Sequence, residues 1–218
     1  MKKPGLLIAD QPDTRQSGFF LNHQTGTRFF IFQALLALLL FSACREPAVP
    51  KPHGYYRISF PEKSYQPIPE GFPYRFEIPG YSRVVPDNSK NAEPWWINIE
   101  VPANKAEIHI SYKRLNDNLA VFAEESRQMV YDHTVKASSI DGRNFINPAD
   151  RVFGTIFYIN GNAASPMQFY LTDSVRHFLR GSLYIRATPN IDSLKPVIEF
   201  LKTDVVRLIE TLTWTTSQ

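Results

Sequence analysis

Hydrophobic positions along the chain change period several times, and each change marks a predicted element. Phe29 to Phe41 is a nearly unbroken apolar run, with Arg28 before it and Ser42-Ala43-Cys44 after it. Alternation follows much later. Trp95, Ile97, Ile99 and Val101 fall on one face of a strand over 95–101, and Ile108 and Ile110 oppose His109 and Ser111 in a strand over 106–113. Pro102-Ala103-Asn104-Lys105 has the length of a hairpin link between them. From Asn118 to Ser138 the spacing turns helical, with Leu119, Phe122, Ser126, Met129, Val130, His133 and Ala137 on one stripe. Asp117 or Asn116 is placed to cap its start, and Glu124 and Glu125 sit near its positive end. A long loop is predicted around Asp141-Gly142-Arg143. Strands over 151–160 and 164–173 are joined by Asn160-Gly161-Asn162, a strong hairpin signal, and another strand runs over 175–186. The last helix is capped by Asp192, carries its apolar stripe from Leu194 to Leu212 and ends at Trp214. Pro196 falls in its first turn or so, where proline is tolerated.

Both parities of the 151–160 strand are apolar: Phe153, Phe157 and Ile159 on one, Ile156 and Tyr158 on the other. A sheet with two apolar faces needs cover on both. Strands, helix, strands, helix, with hairpin links, therefore predict an α+β fold: a central antiparallel sheet flanked by helices. In element order this resembles the Mog1/PsbP-like sandwich, a likeness of fold only. Residues 55–81 precede the sheet and are dense in aromatics (Tyr55, Phe60, Tyr74, Phe76 among them) and prolines. Proline interrupts ladders and helices, so an extended arm is predicted here, ending in a strand over 74–78. Its aromatics either cover core surface or offer anchors to a partner.

The order of charge, apolar run and small residues around 28–44 is that of a secretory signal peptide. The usual lipobox reads Leu-(Ser/Ala)-(Ala/Gly)-Cys. Here it is Phe41-Ser42-Ala43-Cys44, with Phe41 in the leucine position. Cys44 would thus carry lipid and begin the mature protein. The competing account is a membrane-spanning anchor, but the run falls short of the roughly 20 residues a span requires. The stretch 1–27 is long for a leader and contains Asp10 and Asp13, which suggests a true start further downstream. Three domain segments result: a signal peptide over 1–43, a lipidated tether over 44–54, and a single α+β domain over 55–218. Pro47, Pro50 and Pro52 favour an extended tether reaching about 30 Å at full stretch.

After residue 43 there remain 20 Lys+Arg and 19 Asp+Glu, which leaves no electrostatic footprint for nucleic acid. Cys44 is the only cysteine, so lipidation leaves no thiol for a disulfide, a metal or catalysis. His53, His109, His133 and His177 form no metal-ligand spacing, and neither a phosphate-binding glycine loop nor a Gly-x-Ser-x-Gly elbow occurs. No cofactor, metal or catalytic residue is assigned. Thr172-Asp173-Ser174-Val175-Arg176-His177 holds Asp, Ser and His together, which invites a nucleophile. Its simpler reading is a turn closed by the Asp and Ser side chains. Arg176, Arg180 and Arg186 share one parity and are candidate contacts for an anionic ligand or a partner, as are Trp95 and Trp96.

Several segments, in order, carry a more specific likeness. They are Pro50-Lys51-Pro52-His53-Gly54-Tyr55-Tyr56-Arg57-Ile58-Ser59-Phe60-Pro61-Glu62-Lys63-Ser64-Tyr65, Ile108-His109-Ile110-Ser111-Tyr112-Lys113, Tyr131-Asp132-His133-Thr134-Val135-Lys136-Ala137, Gln168-Phe169-Tyr170-Leu171-Thr172-Asp173-Ser174 and His177-Phe178-Leu179-Arg180-Gly181. Together with the lipobox they resemble the GldD gliding-motility lipoproteins over 44–218. The resemblance implies an envelope lipoprotein required for gliding, entwined with type IX secretion, with no enzyme activity attached. Partners would be the membrane, through Cys44, and other proteins of that machinery. Only Glu46 is acidic just after Cys44, and export signals in such lipoproteins tend to be acidic, so the periplasmic face is expected. Two further readings stand beside it: a periplasmic module binding an anionic or glycan envelope component, and a Ser/His hydrolase on Ser174 and His177.

Overall fold

The structure is a computed structural model that describes residues 28–36, 58–187 and 190–215. They belong to two units, Met1–Gly54 and Tyr55–Gln218. In the first, residues 28–36 are helical (α1) and exposed. Cys44, the tether and the rest of the leader lie outside the described residues. Among those described, no helix is long and apolar enough to cross a membrane.

In the second unit the chain runs through β1 (Tyr65–Pro67), β2 (Tyr74–Arg75), β3 (Glu77–Pro79), β4 (Arg83–Pro86), β5 (Ile97–Val101) and β6 (Ala106–Arg114). It continues with α2 (Leu119–Tyr131), β7 (Ala137–Asn147), β8 (Val152–Gly161), β9 (Met167–Thr172), β10 (His177–Ile185), α3 (Ile191–Glu210) and β11 (Thr213–Trp214). Seven strands form one sheet in the order β4-β5-β6-β10-β9-β8-β7, and β1–β3 and β2–β11 form two short ribbons. Every pairing is antiparallel. The fold is thus α+β, an antiparallel sheet flanked by helices.

Register explains the two apolar faces. Opposed residues across a sheet share a face. Ile97, Ile110 and Gly181 align, as do Ile99, Ile108 and Leu183, and these rows lie in the core with Val197, Ile198, Leu201, Val205 and Leu208 of α3. Each such side chain contributes about 1.5–3 kcal/mol on burial. The other parity faces α2. Phe122 packs on Phe178 at 5.6 Å between ring centroids, and Val130 joins Phe157 and Ile159 in a second, smaller cluster. Gly181 sits directly beneath the Phe169 ring, where a Cβ would collide with it.

Several boundaries differ from the sequence reading. The predicted helix over 118–138 stops at Tyr131, and a 3-10 turn (Asp132–Val135) leads into β7. Met129 on the expected stripe is exposed, and only Ser126 and Val130 of α2 are buried. The loop expected around Asp141 is instead the middle of β7, an eleven-residue edge strand. Its polar residues reflect an edge position with exposed side chains, which pattern alone does not separate from a loop. Neither helix has a side-chain N-cap bond; Asn118 and Asn190 hold the cap positions, and Asp192 lies inside the first turn of α3. The single strand expected over 74–78 is divided between β2 and β3, because Phe76 between them turns the chain from one ribbon to the other.

From residue 58 onward the arm lies against the core, as its aromatics imply. Phe60 stacks on Phe200 of α3 at 4.3 Å, and Tyr74, Phe76 and Ile78 are buried. A polar clamp holds it there. Asp204 of α3, 1% exposed, accepts bonds from Lys63 Nζ at 2.5 Å, the Tyr65 hydroxyl at 3.0 Å and the Tyr81 hydroxyl.

Candidate functional site

One end of the sheet opens into a cleft of about 380 Å³, within the size range of small-molecule sites. Its floor begins with the β9–β10 turn. Asp173 Oδ1 accepts the backbone N–H of Val175, Arg176 and His177 at 3.0, 2.8 and 2.8 Å. The Thr172 hydroxyl donates to the His177 carbonyl at 2.7 Å and accepts the Ser174 N–H at 2.9 Å. The Asp-Ser-His segment is therefore a side-chain-closed turn, as the simpler reading held. Burial pushes the Asp173 carboxyl up, but the three N–H bonds, with nearby His177, outweigh it and leave the carboxyl below the ordinary range.

His177 opens β10 and turns into the cleft. Its Nδ1 is 2.7 Å from the Tyr112 hydroxyl, and its ring stacks on Trp214 at 5.0 Å with an 8° interplanar angle. Burial lowers the imidazole pKa; Asp173 opposes this and the Arg176 and Arg114 charges reinforce it. The neutral ring then accepts from Tyr112, whose hydroxyl is raised chiefly by burial and stays protonated. Ser174 supplies its N–H to the turn, while the imidazole is engaged by Tyr112 and Trp214. The pairing a Ser-His nucleophile needs is not formed.

The walls come from distant segments. Trp214 of β11 donates its indole N–H to the Arg151 carbonyl at 3.0 Å. Trp95 meets Tyr112 edge-on at 5.6 Å and is held through its own carbonyl, which accepts the Tyr74 hydroxyl at 2.6 Å. Trp95 has φ 65°, Arg151 φ 54° and Ser174 φ 70°. A bulky residue at positive φ is costly, about 1–3 kcal/mol, and such strain gathers at ligand clamps. Of the five non-glycine residues with positive φ among those described, Trp95 and Arg151 line the cleft, and Ser174 lies in the β9–β10 turn beside it.

Charge is distributed unevenly. Arg114, Arg151 and Arg176 line the cleft and are exposed, and among the described residues none forms an ion pair. The two acids there are already engaged: Asp173 is buried on its N–H bonds, and Asp150 accepts the Asn147 amide at 2.9 Å. Three unpaired guanidiniums beside exposed indole can bind a planar anion.

The candidate contacts named from sequence separate in space. Arg176 and Trp95 reach the cleft. Arg180 does not: it lies on the α2 face, 3.4 Å from Gln168 Oε1, and burial lowers its pKa. Arg186, at the opposite end of β10, pairs with buried Glu107. The three arginines are thus not one row, because Arg176 precedes the strand and lies in the turn. Trp95 is not on the buried face of β5 either; its left-handed backbone turns it out to 46% exposure. Trp96 is half-buried, its indole N–H donating to the Tyr112 carbonyl at 2.9 Å, with Lys113 over the ring. Sequence reasoning missed Arg114, Arg151, Tyr112 and Trp214 as neighbours. They lie on three separate segments, β6, the β7–β8 turn and β11, and no local pattern links them.

The fold and cleft define an α+β domain with an arginine- and aromatic-lined recess at one end of an antiparallel sheet. The family described as gliding motility lipoprotein GldD matches residues 45–214, and the chain belongs to that family. It is therefore a gliding-motility-associated lipoprotein of the cell envelope. No curated protein matches it. Among solved structures it is similar to cyanobacterial PsbP (CyanoP) from Synechocystis sp. PCC 6803, with a TM-score of 0.44 and 9% identity, over 71% of this chain and 95% of that one. That likeness is loose, and the fold stands on its own strand order.

Proposed function

We propose that the protein acts in gliding as a non-catalytic binding component, tied to the type IX secretion machinery and anchored to the membrane through lipidated Cys44. The domain faces the periplasm and works by contact. The observation that carries the binding reading is the division of labour in the cleft. Asp173 and His177 are engaged by turn and stacking interactions, with the imidazole bonded to Tyr112 rather than Ser174, while Arg114, Arg151, Arg176 and the Trp95 ring are left open to a ligand. The same observation favours a ligand-binding module over a hydrolase.

The test replaces the chromosomal copy with variants and scores colony spreading beside membrane fractionation. Cys44→Ala should release the protein and abolish spreading; normal gliding with soluble protein would refute anchoring. Ser174→Ala with His177→Gln should leave the protein able to support spreading. Loss of spreading with normal abundance and location would instead revive the hydrolase.

A further inference from the structure

We infer that the cleft at the end of the sheet is a site for a ring-bearing anion: a carboxylate or phosphate carried on, or next to, a flat ring. The inference rests on the binding reading and specifies its ligand.

Four observations carry it. Arg114, Arg151 and Arg176 come from the end of β6, the β7–β8 turn and the β9–β10 turn, and they converge on one recess without carboxylate partners within ion-pair distance. An exposed guanidinium seldom needs a partner, but three around one recess with engaged acids make a positive concavity. Guanidinium forks match the planar geometry of carboxylate and phosphate. Second, the two acids of the lining are partly engaged, Asp173 Oδ1 by three backbone N–H groups and Asp150 Oδ2 by Asn147, and the three guanidiniums outnumber them. The site offers mostly donors, which selects an acceptor-rich anion. Third, Trp95 and Trp214 frame the recess: the Trp214 indole N–H is tied to the Arg151 carbonyl, and Trp95 is fixed through its backbone, whose carbonyl accepts the Tyr74 hydroxyl, with its ring edge-on to Tyr112. Indole faces suit a flat ring. Fourth, about 380 Å³ holds a ring and its charged group but not an extended oligomer. The ligand is therefore a small molecule or the terminal group of a longer chain. Backbone strain at Trp95 and Arg151 is accounted for by the need to hold an indole and a guanidinium at the rim.

Binding is tested by calorimetry on the full chain in detergent, with two charged probes and their neutral counterparts. Phenyl phosphate is set against phenol, and benzoate against benzyl alcohol. Millimolar or tighter binding of a charged probe, at least about tenfold over its neutral counterpart, is the expected result, weakening as salt rises. Which pair responds decides between phosphate and carboxylate as the charged group. Arg176→Gln and Arg114→Gln should each weaken binding by about tenfold or more, as loss of a charged hydrogen bond implies. Both residues are exposed, so folding survives. Trp95→Gly removes the ring yet suits the local φ, and it too should weaken binding. Arg143→Gln, outside the cleft, should change nothing. Equal binding of charged and neutral probes, no heat from either acid, or an equal effect of Arg143→Gln would overturn the inference. The binding reading is separable: if spreading is lost in Arg176→Gln while both acids fail to bind, the contact stands and its ligand class is wrong.

Discussion

Asp204 offers the most quantitative prediction. Its carboxylate is buried on α3 and receives Lys63, Tyr65 and Tyr81, three residues of the arm that joins the domain to its tether. Asp204→Ala removes the acceptor and leaves a cation and two hydroxyls against apolar α3. Truncating one partner of a buried ion pair costs about 3–5 kcal/mol. Lys63 is 28% exposed and also donates to the Phe200 carbonyl at 2.7 Å, so it regains some hydration, and the loss should sit near about 3 kcal/mol. For a domain of this size that lowers Tm by roughly 6–12 °C. Asp204→Asn keeps an acceptor for the tyrosines and should fall between. Urea unfolding of both variants, of Lys63→Ala and of the Lys63→Ala/Asp204→Ala double variant gives the coupling directly. The tyrosines add a pH signature. Burial, then the bond to Asp204, pushes Tyr65 up to about 12, and Tyr81 is raised for the same reasons. Protons are held more tightly in the folded state, so this stability is full below about pH 10 and declines above it. Asp204→Ala should flatten that decline. A loss under about 1 kcal/mol with an unchanged alkaline limb would show that the cluster is an ordinary surface pair, and the clamp argument would fail.

Three other outcomes follow from the same reasoning. Gly154→Ala places a Cβ against the Tyr170 carbonyl, a backbone atom that cannot swing away, so urea unfolding should show a loss of about 1–3 kcal/mol or more. Asp173→Ala frees three N–H groups of the β9–β10 turn and should cost about 1–3 kcal/mol, and because that carboxyl is depressed, wild type but not the variant should lose this increment as pH falls below about 4. His177 is depressed by burial, so its share of stability is present above about pH 6.5 and lost on acidification; in His177→Gln the fall between neutral and mildly acidic pH should shrink, as denaturation at the two pH values would show.

How much of this was legible depends on the range of the interaction. β5 and β6 could be read because alternation is set by the two-residue pleat and needs no partner to be visible, and β8 and β9 because Asn160-Gly161-Asn162 marks the turn between them. The turn at Asp173 was legible because its bonds span at most four residues. β7 was not, since an edge strand with polar side chains looks like a loop until β8 pairs with it. The arginines show the same limit. Shared parity placed Arg176 with Arg180 and Arg186, but β10 begins after Arg176 and ends before Arg186, which pairs with Glu107 at the far end, while Arg180 lies on the α2 face beside Gln168.

The sequence by itself determined the α+β class, the two-faced sheet and the family, because these rest on periodicity and on ordered segments of the chain. Only the tertiary structure decided that Trp95, Arg114, Arg151, Arg176 and Trp214 meet. Strand order brings 95, 114, 151 and 176 to one end of the sheet, and Trp214 reaches them from the β2–β11 ribbon through its bond to the Arg151 carbonyl. Left-handed backbone at Trp95 and Arg151 then fixes two of them at the rim. Neither effect has a local signature, since each depends on where other strands lie.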